Sequence, residues 1–370
     1  MAGSSPKSPP TGRSPPKSPL TGQSPPSQLV DTESPDRQAS PSQHGSPGQQ
    51  QEDDVDEGIG DDESYTSASA SLTSSILDYR SLHGRTYQSS KSTEYWGPND
   101  DRQNDGLDMS HHFLTMLIGD RLFEAPINNP KNILDVGTGT GIWAIDMADE
   151  YPDAEVVGFD ISPIQPAWVP PNCKFYIDDA QLEWTFGEAE FDFVHIRALY
   201  GSISDWTELY RQAFRALRPG GYLENLEFTI LLRSDDPTIA EDPEHIFVQW
   251  AEIFYQAADR LGKTLKIGLD GRMQRAMEEA GFTDIVVKEH KLPCGGWPKD
   301  RRLKEIGMFN LAFMEQSLEG FALFLLREIM GWELAEVHVF LARMRAAIRD
   351  PKLRPYYIIP NVYARKPLSA

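Results

Sequence analysis

Cysteine is nearly absent: Cys173 and Cys294 are the only two in 370 residues. Two thiols cannot build a disulfide framework, and no Cys/His spacing suggests zinc or another metal. Both are expected to be free thiols in a reducing compartment. Positive charge is also scarce. The chain has 35 Lys and Arg against 56 Asp and Glu, a formal net charge of −21. A nucleic-acid surface needs clustered Lys and Arg, so direct DNA or RNA binding is not expected. Adhesion to an anionic membrane is disfavoured for the same reason. Long apolar runs are missing too. The longest, Phe321 to Leu326, runs straight into Arg327 and Glu328 and falls far short of a membrane span. Met-Ala-Gly-Ser-Ser-Pro at the start has no signal-peptide core. The expectation is a soluble intracellular protein, in nucleus or cytoplasm, not secreted.

Aromatics are almost lacking from residues 1–72, which are rich in Ser, Pro, Gly and Gln. Such a segment cannot bury enough apolar surface to offset its ordering entropy. It is expected to be a disordered tail. It carries an imperfect repeat, Thr11-Gly12-Arg13-Ser14-Pro15-Pro16 and Thr21-Gly22-Gln23-Ser24-Pro25-Pro26. A solvated polyproline-like arm accounts for it.

What is present is an α/β pattern built around Ile133-Leu134-Asp135-Val136-Gly137-Thr138-Gly139-Thr140-Gly141-Ile142-Trp143. The apolar run predicts a buried parallel strand. A helix opens near Gly141. Strand, glycine turn and helix together present backbone N–H groups to a ligand. The spacing is Asp-x-Gly-x-Gly-x-Gly. The third glycine of a dinucleotide fingerprint would fall at Ile142, so that match fails. The phosphate loop fails as well, since no Lys-Ser or Lys-Thr follows. One βα unit later Asp160 ends the run Glu155-Val156-Val157-Gly158-Phe159. An acid there can accept both ribose hydroxyls.

The alternation continues. Strands are predicted at 132–137, 154–160, 173–178, 191–197, 222–229, 285–290 and 356–364. Helices are predicted at 141–150, 205–217, 244–261, 271–280 and within 300–349, with another from Leu107. The fold class is therefore α/β, a doubly wound, mostly parallel seven-stranded sheet of Rossmann-like type with a helical cap. Residues 73–368 form the domain, with an N-terminal lid at about 73–125 and the cap at about 297–350. Ligands should lie at the carboxyl ends of the strands. His111 and His112 are adjacent, so they do not share a helix face. One is expected to be packed and one exposed. Trp297, in its Gly-Gly loop, is the preferred wall of a substrate pocket.

Residues 74–368 resemble the fungal LaeA-like (TAM-domain) methyltransferases, class I enzymes dependent on S-adenosylmethionine (SAM). The resemblance is carried by Gly137-Thr138-Gly139-Thr140-Gly141-Ile142-Trp143, Asp160-Ile161-Ser162-Pro163-Ile164-Gln165-Pro166, Trp168-Val169-Pro170-Pro171-Asn172, Phe191-Asp192-Phe193-Val194-His195-Ile196-Arg197, Arg218-Pro219-Gly220-Gly221 and Trp297-Pro298-Lys299-Asp300. The tail lies outside it. Two stretches depart from the family pattern, Tyr95-Trp96-Gly97-Pro98 and Pro293-Cys294-Gly295-Gly296-Trp297, and both bear on the substrate pocket.

The resemblance implies SAM as cofactor, S-adenosylhomocysteine as product and no metal. Asp135 and the turn of Gly137, Thr138, Gly139, Thr140 and Gly141 would hold the amino-acid part. Asp160 would hold the ribose, Ile161 the adenine face, and Asp178, Asp179 and Ala180 the adenine edge. Tyr95 and Asn99-Asp100 would close over the site. His195 and Arg197 would stand beside the methyl group. His195 reads first as a hydrogen-bonded residue beneath the cofactor; if a base is needed it is the best placed, with Glu224 and Glu227 second choices. Glu227 reads otherwise as orienting a backbone amide, and Arg197 as pairing with a carboxylate. The acceptor would be a small molecule or a protein, and velvet-type regulatory partners are implied. The functional expectation is a methyltransferase linked to secondary metabolism, as regulator or tailoring enzyme. The alternative is a non-catalytic SAM-binding scaffold. A dinucleotide oxidoreductase is the weakest reading.

Overall fold

The computed structural model describes residues 79–90 and 92–369. The tail at 1–72 and the first residues of the lid lie outside them.

A short hairpin opens the described chain, β1 Arg80–Leu82 and β2 Arg85–Tyr87. Helix α1, Asp101–Leu117, follows. It begins six residues before Leu107, where the apolar pattern starts. The reason is its cap: Asp100 accepts Gln103 N–H, and Arg85 clamps the same carboxylate at 2.5 and 2.8 Å. A capped, charge-neutralised N-terminus extends a helix beyond its apolar stripe.

The core then alternates as the sequence predicts. β3 Asn132–Val136, α2 Ile142–Glu150, β4 Glu155–Asp160, β5 Cys173–Ile177 and β6 Phe191–Arg197 come first. Next are α3 Trp206–Ala216, β7 Leu217–Leu226, α4 Pro237–Glu241, α5 Ile246–Arg260 and α6 Arg272–Glu279. β8 Thr283–Pro293, α7 Arg301–Leu323, α8 Leu334–Arg349 and β9 Tyr356–Arg365 complete the chain, with a π-helical segment at Phe324–Ile329. The sheet order is β5-β4-β3-β6-β7-β9-β8, parallel from β5 to β7 and antiparallel at β9 and β8. β9, the last strand in the chain, lies between β7 and β8.

β7 starts earlier than the predicted 222–229, at Leu217, and ends at Leu226. Gly220 takes φ +85°, which lets the Pro-Gly-Gly step stay on the sheet. Gly220 N–H donates to Lys366 O and Lys366 N–H returns to Gly221 O.

Period-2 alternation sorts the two faces. Ile133, Val156 and Phe193 face Trp143, Ala144 and Met147 of α2. Leu134, Val194 and Leu223 face Leu209, Tyr210 and Ala213 of α3. The third apolar cluster lies under the cap. It joins Tyr87 and Trp96 of the lid to α1, α5, α7 and α8. Cap and lid are therefore one packed body over the strand ends. Cys173 and Cys294 are free and buried. No helix among the described residues is long and apolar enough to cross a membrane.

A buried carboxylate ties lid to sheet. Glu224 of β7 accepts N–H bonds from Glu124 (2.8 Å) and Ala125 (2.5 Å), and Asn361 Nδ2–H at 3.0 Å. Burial pushes its pKa up to about 7. Glu224→Ala should leave these donors unpaired and cost about 3 kcal/mol. Differential scanning fluorimetry should show a melting temperature lower by about 6–12 °C. A drop below about 1 °C would show that the network contributes nothing to stability.

Candidate active site

The glycine turn behaves as three different positions. Gly137, Gly139 and Gly141 have φ of +68°, +59° and +81°. A Cβ on Gly137 would sit 2.5 Å from Leu199 Cδ2, and one on Gly141 would collide with the Phe175 ring. Packing inside the chain therefore requires these two glycines. Gly139 is open: a Cβ there would meet nothing closer than Leu107 Cδ1 at 3.5 Å. Gly139 lines a cleft at the carboxyl ends of β3, β4 and β6, whereas Gly141 caps α2 behind it.

Asp135 organises the floor. It is 3 % exposed. One oxygen accepts Thr138 Oγ1–H at 2.5 Å, the other His195 Nδ1 at 2.7 Å. A carboxylate only accepts, so Nδ1 carries the proton and Nε2 keeps its lone pair. The imidazole stacks on Trp143, with centroids 3.6 Å apart and planes 5° from parallel. Burial pushes the His195 pKa down to about 4, against the pull of Asp135. A neutral imidazole so weakly basic is a poor proton acceptor at neutral pH. It serves as a wedge that fixes Asp135 and the turn.

Asp160 closes the turn from the neighbouring strand. It accepts Gly139 N–H and Ser162 N–H, both at 2.9 Å. Burial raises its pKa to about 6. Gln165 of the Pro-rich loop donates to Gly139 O at 2.6 Å. Thr140 Oγ1–H donates to Asp108 of α1 at 2.6 Å. At the far end Asp179 accepts Ser92 Oγ–H at 2.7 Å and Gln181 N–H at 3.0 Å. Gln181 in turn holds Thr93 and Lys263. Segment 92–99 thus runs across the cleft as a strap.

Arg197 is the one Lys or Arg among the described residues that line the cleft. It donates Nη2–H to His111 Nδ1 at 3.1 Å, and His111 Nε2–H donates to Asp146 at 2.8 Å. Burial lowers the Arg197 pKa to about 10. His111 is packed and His112 exposed, as the sequence predicts.

The cleft brings together Tyr95, Asp135, Gly137, Thr138, Gly139, Thr140, Asp160, Ile161, Asp178, Asp179, Ala180, His195 and Arg197. Asn99 joins them with its amide oxygen and nitrogen both buried and unpartnered. Asp100 does not, because Arg85 and the helix cap consume it. Glu224 shares a sheet row with His195, but its carboxylate turns to the lid loop. Glu227 accepts the N–H groups of Leu199 and Tyr200. Neither acid lines the cleft. Trp297 is also elsewhere: its indole N–H donates to Pro355 O at 2.9 Å, at the base of the cap. Thr93, Ser110 and Gln181 line the cleft without any signal in the sequence.

Residues 110–287 match the family described as a methyltransferase domain. Methyltransferase pytC of Aspergillus terreus is 39 % identical over 303 residues, covering 81 % of this chain and 92 % of the relative. The chain belongs to the LaeA-like SAM-dependent methyltransferases. Other members are the secondary metabolism regulator laeA of Monascus pilosus, 36 % identical over 290 residues and 78 % of each chain. The protein-methionine methyltransferase laeA of Emericella nidulans is 32 % identical over 289 residues, 77 % of this chain and 76 % of that one. The family is tied to fungal secondary metabolism, and this LaeA-like protein is an enzyme of methyl transfer.

Proposed function

We propose that the cleft binds SAM with its amino-acid part on the glycine turn, its ribose on Asp160 and its adenine between Ile161 and the Asp178–Ala180 edge. Gly139 carries this reading. Two of the three glycines are filled by the chain's own side chains, and the third keeps an empty Cβ position beside a backbone N–H and an acid. The unpartnered Asn99 amide under the strap supports it, since buried amides normally find partners. Arg197 is placed to receive the cofactor's carboxylate, leaving His111 and Asp146 to hold the guanidinium.

Bound there, SAM supplies a methyl group already activated by sulfonium charge. The chain's task is then mainly positioning and exclusion of water. The strap does both, anchored at Asp179 and at the Arg85–Asp100 pair. Velvet-type partners and a nuclear location are supported by the resemblance alone.

Isothermal titration of the full chain with SAM and with S-adenosylhomocysteine tests the assignment. Saturable binding of both, at one site per chain, is expected. A folded sample that binds neither would overturn it.

A further inference from the structure

The strap ends a hydrogen-bond relay whose last hydrogen is unused. The relay starts at Lys263, in the loop after α5. This lysine is 9 % exposed. Its ammonium group meets an amide and a hydroxyl instead of a carboxylate: Nζ donates to Gln181 Oε1 at 2.7 Å and to Thr93 Oγ1 at 3.3 Å. Burial lowers its pKa, against the pull of Asp179. An ammonium group has three donors and no acceptor, so every bond it makes directs a hydrogen outward.

The partners of Lys263 fix the direction of the bonds that follow. Gln181 Oε1 also accepts Ser204 N–H at 2.9 Å and Ser204 Oγ–H at 3.0 Å. A backbone N–H and an ammonium group both only donate. This atom of the amide is therefore the oxygen, and the other is the nitrogen. Nε2 then donates to Thr93 Oγ1 at 2.6 Å. The Thr93 oxygen thus accepts twice, from Gln181 and from Lys263. A hydroxyl has two lone pairs, and both are taken. Its own hydrogen remains, and no acceptor among the described residues takes it. Thr93 and Gln181 both line the cleft, together with Asp178, Asp179 and Ala180. The residue before Thr93, Ser92, already donates to Asp179 at 2.7 Å. The unused hydrogen therefore belongs to the Asp179 end of the cleft.

We propose that Thr93 Oγ1–H bonds a ring nitrogen of the cofactor's adenine, and that Lys263 is the positioning residue that keeps this hydrogen turned to the base. The proposal rests on the cleft being the SAM site, with the adenine at the Asp178–Ala180 edge. Adenine carries an acceptor nitrogen on either side of its exocyclic amine, N1 and N7. A hydroxyl at the Asp179 end faces one of these two. N3 lies on the other edge, beside the ribose. Asp179 and Thr93 then present an acceptor next to a donor, which complements an amine next to a ring nitrogen. The strap thus chooses the base as well as covering it. Lys263 acts from outside the cleft, through Gln181 and Thr93.

The full-length protein is titrated calorimetrically with S-adenosylhomocysteine and with its 1-deaza, 3-deaza and 7-deaza forms, each of which replaces one ring nitrogen by C–H. The parent should bind the 1-deaza or the 7-deaza form about tenfold more weakly than S-adenosylhomocysteine, because the hydroxyl loses its acceptor. The 3-deaza form should stay within about twofold. Thr93→Val keeps the side chain's shape and removes the O–H. It should bind S-adenosylhomocysteine about tenfold more weakly and no longer distinguish it from the discriminating analogue. Lys263→Met should reduce that discrimination to about twofold or less, and Lys263→Arg should restore most of it. A merely structural role of either residue would weaken all four ligands alike and leave their ratios unchanged, which would overturn the proposal. So would a parent that binds the 1-deaza and 7-deaza forms as tightly as S-adenosylhomocysteine, or a Thr93→Val variant that discriminates as the parent does. A folded parent that binds none of the four would instead remove the cofactor assignment beneath the proposal, and the proposal with it.

Discussion

Gly139→Val should abolish SAM binding and leave a folded protein. The branched side chain would occupy the one Cβ position of the turn that the chain leaves open. Positive φ at this position costs an L-residue about 1–2 kcal/mol, more for a β-branched one. The melting temperature should therefore fall by several degrees and the cooperative transition should survive. Affinity should fall at least ~100-fold, about 2.7 kcal/mol. Gly141→Val is the contrast. Its side chain would meet Phe175, so that variant should lose fold and binding together. Titration calorimetry beside circular dichroism separates the two cases. Unchanged SAM affinity in folded Gly139→Val would move the cofactor off the turn.

SAM affinity should fall as the pH drops below about 6. Burial holds the free Asp160 carboxyl at about 6, above the ordinary range. Ribose hydroxyls donate, so they bind the ionised form better. One pH unit below that value only about a tenth of the molecules are ionised, and apparent affinity should be about tenfold weaker than at pH 8. Asp160→Asn should be weak throughout and nearly flat with pH. Stability of the free protein should respond with the opposite sign. The folded state holds the Asp160 proton more tightly than the unfolded chain. This group's contribution is therefore most favourable below about pH 4 and is lost as pH rises to about 6. A pH-independent Kd in the parent protein between pH 5 and 8 would remove Asp160 from the ribose.

The parts of the fold and site legible in the sequence are those written in local pattern. β3, the glycine turn, α2 and Asp160 follow one another within thirty residues, each with an apolar run or a glycine to mark it. The strap has no such mark. Ser92 meets Asp179 and Thr93 meets Gln181 across nearly ninety residues, through hydroxyls and amides that pattern nothing. Trp297, in its Gly-Gly loop, reads in the sequence as a substrate-pocket wall, yet Pro355 satisfies its indole N–H away from the cleft. Trp96, in the strap, is the tryptophan packed beside the site, against Tyr200 and Phe321. Glu224 reads as a second-choice base from its place on the fifth parallel strand, and the sheet does set it on the row of His195. Its true partners come from the lid loop and from β9, which no local pattern reveals.

The position of β9 bears on how the protein is made. Every backbone pairing of β8 in the sheet is to β9, and β9 is also the only partner on that side of β7. During synthesis β8 and the whole cap must leave the ribosome while that edge of the sheet still waits for its filler. Until about residue 365 has emerged, the edge of β7 stays open and Glu224 lacks Asn361. A chain stopped early at residue 355 would therefore present two unpaired strand edges, which are templates for aggregation. The ten residues of β9 decide whether the nascent polypeptide closes its sheet or becomes a substrate for chaperones.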